Sequence, residues 1–277
     1  MDITTVTSFR SARTRDDLTL GPGEVVIAGG TWLMSEPQPG TTGFVDLTTL
    51  GWPDIEITDE GLRIGATCTI ARLLAWVEGD APAAWTSLSL ARPSAEALLA
   101  SFKIWNTATV GGNVCQAFAA GAMIAMLSTL DATALIWTPD GGERRIAVAE
   151  LVVDNAATSL APGEVVRALD IPAHALTARV GLQKIALAEL GRSGAVVTAR
   201  VDPDGSAVFV VTAAVRRPRV LRFGRTPGAG ELRDAVASAT DFYTDPLGSA
   251  DWRRGVSVVL AERVRQGLAR ERQEGAA

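Results

Sequence analysis

Thr109-Val110-Gly111-Gly112-Asn113 decides the reading of this chain, because it echoes an earlier stretch, Ala28-Gly29-Gly30-Thr31. Glycine has no Cβ, so each pair lets successive backbone N–H groups turn toward a bound anion, and Thr31, Thr109 and Asn113 add side-chain donors. Two such approaches to one ligand describe a clamp for a diphosphate. Either pair alone reads more simply as a tight turn, since 27 glycines in 277 residues place Gly-Gly pairs in turns. The flanking sequence separates the two readings.

Composition narrows the function classes. A net charge of -5 gives no electrostatic reason to expect nucleic acid, and 47% hydrophobic with 21% charged residues is ordinary for a globular protein. Met1-Asp2-Ile3-Thr4-Thr5 lacks the basic and apolar regions of a secretory signal. The longest apolar stretch, Phe118 to Leu127, is diluted by alanine and glycine and falls short of the ~20 residues of a membrane span. A soluble, cytoplasmic protein is expected. Two cysteines, Cys68 and Cys115, and a single histidine, His174, cannot by themselves ligate an iron–sulfur cluster or zinc. Cys115 reads as a small packed hydrophobe and His174 as a surface loop residue. No acid, base or nucleophile constellation appears, so no catalytic residue and no metal ligand is named.

Outward from the glycines, Val25-Val26-Ile27-Ala28 reads as a strand delivering its end to the first pair, with a helical turn over 31–34. Phe44 to Leu47 and Leu62 to Ala66 read as further strands, and Thr69 as the N-cap of a helix running to Val77. Ala95, Leu98, Leu99 and Phe102 predict a helix over 93–102 that leads into the second glycine loop, and 117–130 predicts another after it. Ala134 to Trp137 reads as a strand closed by a turn at 139–142, and Val148 to Leu151 as a short connector helix. Beyond Ile171-Pro172 the texture changes to a β-meander over 180–185, 196–201 and 207–215, with closing helices over 231–239 and 252–272. A boundary near residue 175 is expected, and 275–277 should fray.

These residues resemble the FAD-binding middle subunit of molybdenum hydroxylases, the family of carbon monoxide dehydrogenase and the flavin domain of xanthine dehydrogenase. Ala28 to Leu33 is similar to the family's Ala-Gly-Gly-Thr-x-Leu loop and Asn106 to Asn113 to its Asn-x-Ala-Thr-Ile-Gly-Gly-Asn loop. Ile64-Gly65-Ala66, Leu130-Asp131-Ala132, Pro162 to Val166 and Asp245 to Arg254 resemble further family segments in the right order. The resemblance implies an α+β, two-subdomain FAD-binding fold of the molybdopterin dehydrogenase (PCMH) type on 1–174, with subdomains of about 1–55 and 56–174. A smaller β-meander plus helix C-terminal domain would follow on 175–277. It implies FAD contacts at Ile27, Ala28, Gly29, Gly30, Thr31, Trp32 and Leu33. It implies others at Thr109, Val110, Gly111, Gly112, Asn113 and Val166, and places Lys184 beside the flavin ring, where positive charge favours the anionic reduced form. The implied role is an electron-transfer flavoprotein, served by a molybdopterin-binding large subunit and a [2Fe–2S] small subunit, passing electrons to NAD, oxygen or a quinone.

The chain also departs from that pattern. Where the family carries an aspartate for the ribose hydroxyls, this sequence has Ala122, and Phe118 and Ala119 replace Ser-Pro. A missing charge-assisted hydrogen bond weakens binding by about 1.5–3 kcal/mol. Trp32 replaces a small or acidic residue and reads as a packing anchor or a ring-stacking group. Arg192 stands where an aspartate is common, and the run Arg216-Arg217-Pro218-Arg219 reads as solvated surface or a docking site for a subunit. The alternative these departures raise is a flavin-free structural or interaction homologue with a degenerate site.

Overall fold

Short β-branched and aromatic runs near the N-terminus build a small parallel sheet. β1 (Ser8–Ser11), β2 (Glu24–Ile27) and β3 (Gly43–Asp46) pair in the order β1-β3-β2. The molecule is described here by a computed structural model covering residues 4–98, 100–188 and 191–274, with side chains to Glu271. Leu99 of the expected helix and the C-terminal 275–277 lie outside the described residues.

The middle of the chain forms a five-stranded antiparallel sheet overlain by helices. In chain order come β4 (Ile55–Thr58), β5 (Gly61–Gly65), α1 (Ile70–Gly79), α2 (Ala91–Ala97), α3 (Phe102–Trp105), α4 (Val110–Cys115) and α5 (Ala122–Thr129). β6 (Thr133–Trp137), β7 (Glu143–Ala147), α6 (Val148–Leu151), β8 (Val152–Asp154), β9 (Ala157–Thr158), β10 (Val165–Pro172) and α7 (Ala173–Leu176) complete it. The strand order is β4-β5-β10-β6-β7, so β10 closes the sheet between two strands distant in sequence. Every residue of α5 is buried, and Met123, Ile124, Met126 and Leu127 share one core with Leu62, Ile64, Leu73, Ile136 and Leu169. A helix apolar on all sides belongs in an interior.

The C-terminal unit is a β-meander, β11 (Arg179–Ile185), β12 (Ala195–Val201), β13 (Ala207–Thr212) and β14 (Arg219–Phe223), paired in sequence order. α8 (Ala229–Ala237) and α9 (Ala250–Glu274) follow. α9 lies on β11 and β12, and Leu260, Val264 and Leu268 bury their side chains with Val197, Phe209 and Val211. The fold is the expected α+β arrangement. β14 was not foreseen, because Arg219 and Arg222 within it point outward and disguise a strand as a basic run.

Two predicted helices break. The helix predicted over 93–102 stops at Ala97, and Leu98 is extended (φ -77, ψ 130) before α3 begins. Its terminal carbonyls are taken by distant donors: Lys184 Nζ reaches Glu96 O at 2.6 Å and Ser193 Oγ reaches Ala97 O at 3.0 Å. The helix predicted over 117–130 begins only at Ala122, since Ala117 is left-handed (φ 51), a conformation that cannot continue a right-handed helix. The second glycine segment, expected as a loop, is the helix α4 itself.

Candidate functional site

Paired threonine caps bring the loops together. Thr69 accepts Arg72 N at 3.1 Å and starts α1, while Thr109 accepts Gly112 N at 3.0 Å and starts α4. Their flanking backbones are stitched to each other, Ile70 N to Ala108 O at 2.9 Å and Val110 N to Cys68 O at 2.8 Å. The glycines then permit backbone-to-backbone approach. A Cβ on Gly29 would overlap the Thr107 carbonyl, and one on Gly111 would overlap Ala66, so the two glycine segments sit against neighbouring chain with no room for a side chain.

Between the segments lies a cavity of about 560 Å³, within the usual range of about 300–1,000 Å³ for ligand sites. Ala28, Gly29, Gly30, Thr31, Trp32, Leu33, Thr109, Gly111, Gly112, Asn113 and Val166 line it. Three residues named from the sequence do not. Ile27 and Val110 are buried in packing, and Lys184 is spent on the end of α2. Lys184 shares its face of β11 with Val180 and Leu182, which pack against the main core, so its amine is directed at α2 rather than into the cavity.

The polar supply is one-sided, which corrects the expectation of two symmetrical amide approaches. All four amides of Val110 to Asn113 are engaged: Val110 with Cys68 O, Gly111 with Ala66 O, Gly112 with Thr109 Oγ1 and Asn113 with Thr109 O. In contrast, the amides of Gly29, Gly30, Thr31, Trp32 and Leu33 have no partner among the described residues, in a turn opened by Gly30 at φ +65. The second segment contributes side chains instead. Asn113 Oδ1 accepts Met123 N at 3.0 Å, which ties α4 to α5 and leaves the carboxamide NH₂ as the donor.

The carboxylates near the cavity are already committed. Glu164 holds Arg144 through two contacts at 2.6 Å and accepts Ala161 N at 2.8 Å, and the Arg144 hydrogen bonds keep its carboxyl below the usual range. Asp245 accepts Leu247 N at 2.8 Å and Arg253 Nη2 at 2.5 Å. Ala122, where the resemblance places a carboxylate, is buried and does not reach the cavity. Cys115, read from the sequence as a packed hydrophobe, is instead exposed on the cavity wall, where desolvation by the surrounding atoms pushes its thiol up to about 12.

Arg192, Tyr243, Asp245 and Leu247 close the far side of the cavity, and none was named as a site residue from the sequence. The similarity of 245–254 to a family segment was the available signal. Its role here is architectural: Arg253 is fully buried, stacks 4.0 Å from the Tyr243 ring centroid, and binds Asp245 and the carbonyls of Gly248 and Ala213. Tyr243 in turn donates to Ala213 O at 2.9 Å, and burial raises its hydroxyl above the usual value. Across the cavity, Trp32 and Phe118 meet edge to face with centroids 4.7 Å apart. Such a contact is worth about 0.5–1.5 kcal/mol.

Five open amides, a carboxamide donor and mostly apolar walls fit the diphosphate and rings of a dinucleotide better than any metal or general acid–base chemistry. Comparison with solved structures finds the same fold. Quinoline 2-oxidoreductase from Pseudomonas putida 86 superposes with a TM-score of 0.81 at 20% identity, covering 98% of this chain and 99% of that one. Reconstituted CO dehydrogenase from Oligotropha carboxidovorans gives 0.82 at 21% identity, covering 96% and 98%. Carbon monoxide dehydrogenase from Hydrogenophaga pseudoflava gives 0.78 at 16%, covering 94% and 96%. No curated protein matches in sequence. Residues 7–174, which contain both glycine segments and the whole five-stranded sheet, match the FAD binding domain in molybdopterin dehydrogenase, and the chain belongs to that family.

Proposed function

We propose that this chain is the flavin-binding, electron-transferring subunit of a molybdenum hydroxylase-type enzyme. The observation that carries the reading is the run of open amides from Gly29 to Leu33 facing a cavity shared with Asn113, inside the region that matches the family. Those amides and the Asn113 carboxamide would hold the diphosphate of FAD, and Thr31 and Thr109 would add hydroxyls. Ala28, Leu33 and Val166 would wall the nucleotide, and Arg192, which lines the cavity where Lys184 does not, would supply the positive charge that the resemblance implied for Lys184. FAD, when bound, supplies one- and two-electron chemistry.

With two cysteines, the chain cannot build a [2Fe–2S] centre, which takes four ligands. Electrons would therefore arrive from a [2Fe–2S] small subunit, fed by a molybdopterin-binding large subunit, and leave to NAD, oxygen or a quinone. In this reading 1–174, with subdomains of about 1–55 and 56–174, carries the flavin and 175–277 closes the cleft. No helix among the described residues is long and apolar enough to cross a membrane.

A second reading, a flavin-free structural homologue, is favoured by one observation: Trp32 and Phe118 touch across the cleft while the ribose carboxylate is missing at Ala122. Absorbance separates the two. Purified chain or complex should be yellow, release FAD on denaturation, and rebind it when stripped; colourless protein that takes up no added FAD would leave the structural reading standing.

A further inference from the structure

Trp32 and Phe118 come from the two different segments that make the cleft, and their rings meet across it at 4.7 Å with planes inclined by 73°. Neither is part of a buried apolar cluster, whereas Trp52, Trp76, Trp85 and Trp105 all pack into or against the main core. Trp32 is 37% exposed. An indole and a phenyl that stabilise no core, yet cover each other over a ligand-sized cavity, call for an explanation other than packing.

Chemistry around the pair supplies one. The two carboxylates lining the cavity, Glu164 and Asp245, are bound to arginines, and Ala122 offers nothing, so no free acceptor awaits ribose hydroxyls. Trp32 belongs to the same turn as the five open amides, and Phe118 lies close after Asn113. A ligand whose diphosphate meets those amides brings its rings to the aromatics. Edge-to-face contact covers one π-face of one ring and leaves at least one face of each ring free of the other, and every nucleotide ring presents a π-face of its own.

We propose that Trp32 and Phe118 are the ring-binding jaw of the cleft: they part to take a planar heteroaromatic ring, isoalloxazine or adenine, and hold it by stacking in place of the missing ribose carboxylate. The proposal rests on the reading of the cleft as a dinucleotide site. It makes the pair a specificity element of the cleft, selecting ligands that combine a diphosphate with a flat ring over those that carry the diphosphate alone.

Calorimetric titration of the full-length chain, stripped of ligand, with FAD, FMN, ADP and inorganic diphosphate tests it. Trp32→Leu and Phe118→Ser should each weaken FAD by about tenfold or more while leaving inorganic diphosphate unchanged, and Trp32→Phe should restore most of the affinity. The ring is identified by which partial ligand, FMN or ADP, loses affinity with FAD. Quenching of tryptophan emission by FAD should also shrink in Trp32→Leu, a readout independent of turnover. FAD binding as tight or tighter in Phe118→Ser would overturn the proposal and mark the pair as a plug. Equal losses for FAD and diphosphate would overturn it in favour of a role in shaping the turn. Wild-type protein that binds none of the ring ligands would sink the dinucleotide reading and this proposal together, whereas wild-type binding with unaffected variants would sink the stacking alone.

Discussion

Position 111 has no room for a side chain. A Cβ there would run into the Cβ and the carbonyl of Ala66, which accepts the Gly111 amide at 3.0 Å, so Gly111→Ala must push α4 away from β5 or break that bond. Overpacking of this kind costs about 1–3 kcal/mol, to be read as a lowered midpoint in urea unfolding. An unchanged midpoint would mean that the segment is a mobile loop. Cys115, on the cavity wall, offers a chemical test at the same scale. Although the residue is exposed, desolvation by the surrounding wall raises its thiol from an ordinary 9.0 to about 12, so folding favours the neutral form; that contribution to stability is complete below about 9 and is lost as pH rises toward 12. Alkylation by iodoacetamide should accordingly be slow at pH 8 in the folded protein, accelerate with pH, and become fast on denaturation. Rapid labelling of folded protein at pH 8 would show that the cleft wall does not enclose the thiol.

Among the elements, α9 carries two glycines, Gly255 and Gly267, and a Cβ at either would meet nothing within 4 Å. Glycine in a helix interior costs about 0.5–1 kcal/mol relative to alanine. Gly255→Ala and Gly267→Ala should therefore each raise the unfolding midpoint of the isolated chain, and a fall at either would show a contact hidden from this geometry. The legibility of elements follows the range of the interactions that end them. Thr69 as an N-cap and the β-branched run before Gly29 were readable because their causes lie within three or four residues. The end of α2 was not readable, because Lys184 and Ser193, roughly ninety residues on, supply its caps. The left-handed Ala117 that delays α5 was equally hidden: its carbonyl is held by Ala156 N, and the nearby Ala119 carbonyl by Ala213 N. At the site, the two glycine segments were legible as motifs. The engagement of the second segment's amides and the entry of Arg192, Tyr243 and Asp245 were not, since both arise from chain brought in from elsewhere.

Across the whole molecule, one buried cation joins the meander to the helical layer beneath it. Arg200, on β12 and 2% exposed, donates to Thr129 O at 3.0 Å at the end of α5, to Asp131 Oδ2 at 2.7 Å and to Asp202. Asp131 also binds Arg222 of β14 at 2.5 Å, and His174 approaches it at 3.6 Å. Burial resists the ionisation of Asp131, but hydrogen bonds and charge from Arg222 and Arg200 outweigh it and depress its carboxyl below the ordinary 3.8. A depressed folded value stabilises the fold above the unfolded value and ceases to do so as pH falls through the folded one, so acid should loosen this junction below about pH 4. The two arginines are not equivalent. Removing one member of a buried pair costs about 3–5 kcal/mol, because a desolvated charge is stranded, whereas an exposed pair contributes about 0–1 kcal/mol. Arg200→Met strands Asp202 and the Thr129 carbonyl and should cost about 3 kcal/mol, at the lower end because Asp131 keeps Arg222. Arg222→Met, with a side chain 60% exposed, should cost under about 1 kcal/mol. Urea unfolding of both variants at pH 7 checks the argument. The gap between them should be wide; equal losses would mean that the junction is held by apolar packing alone.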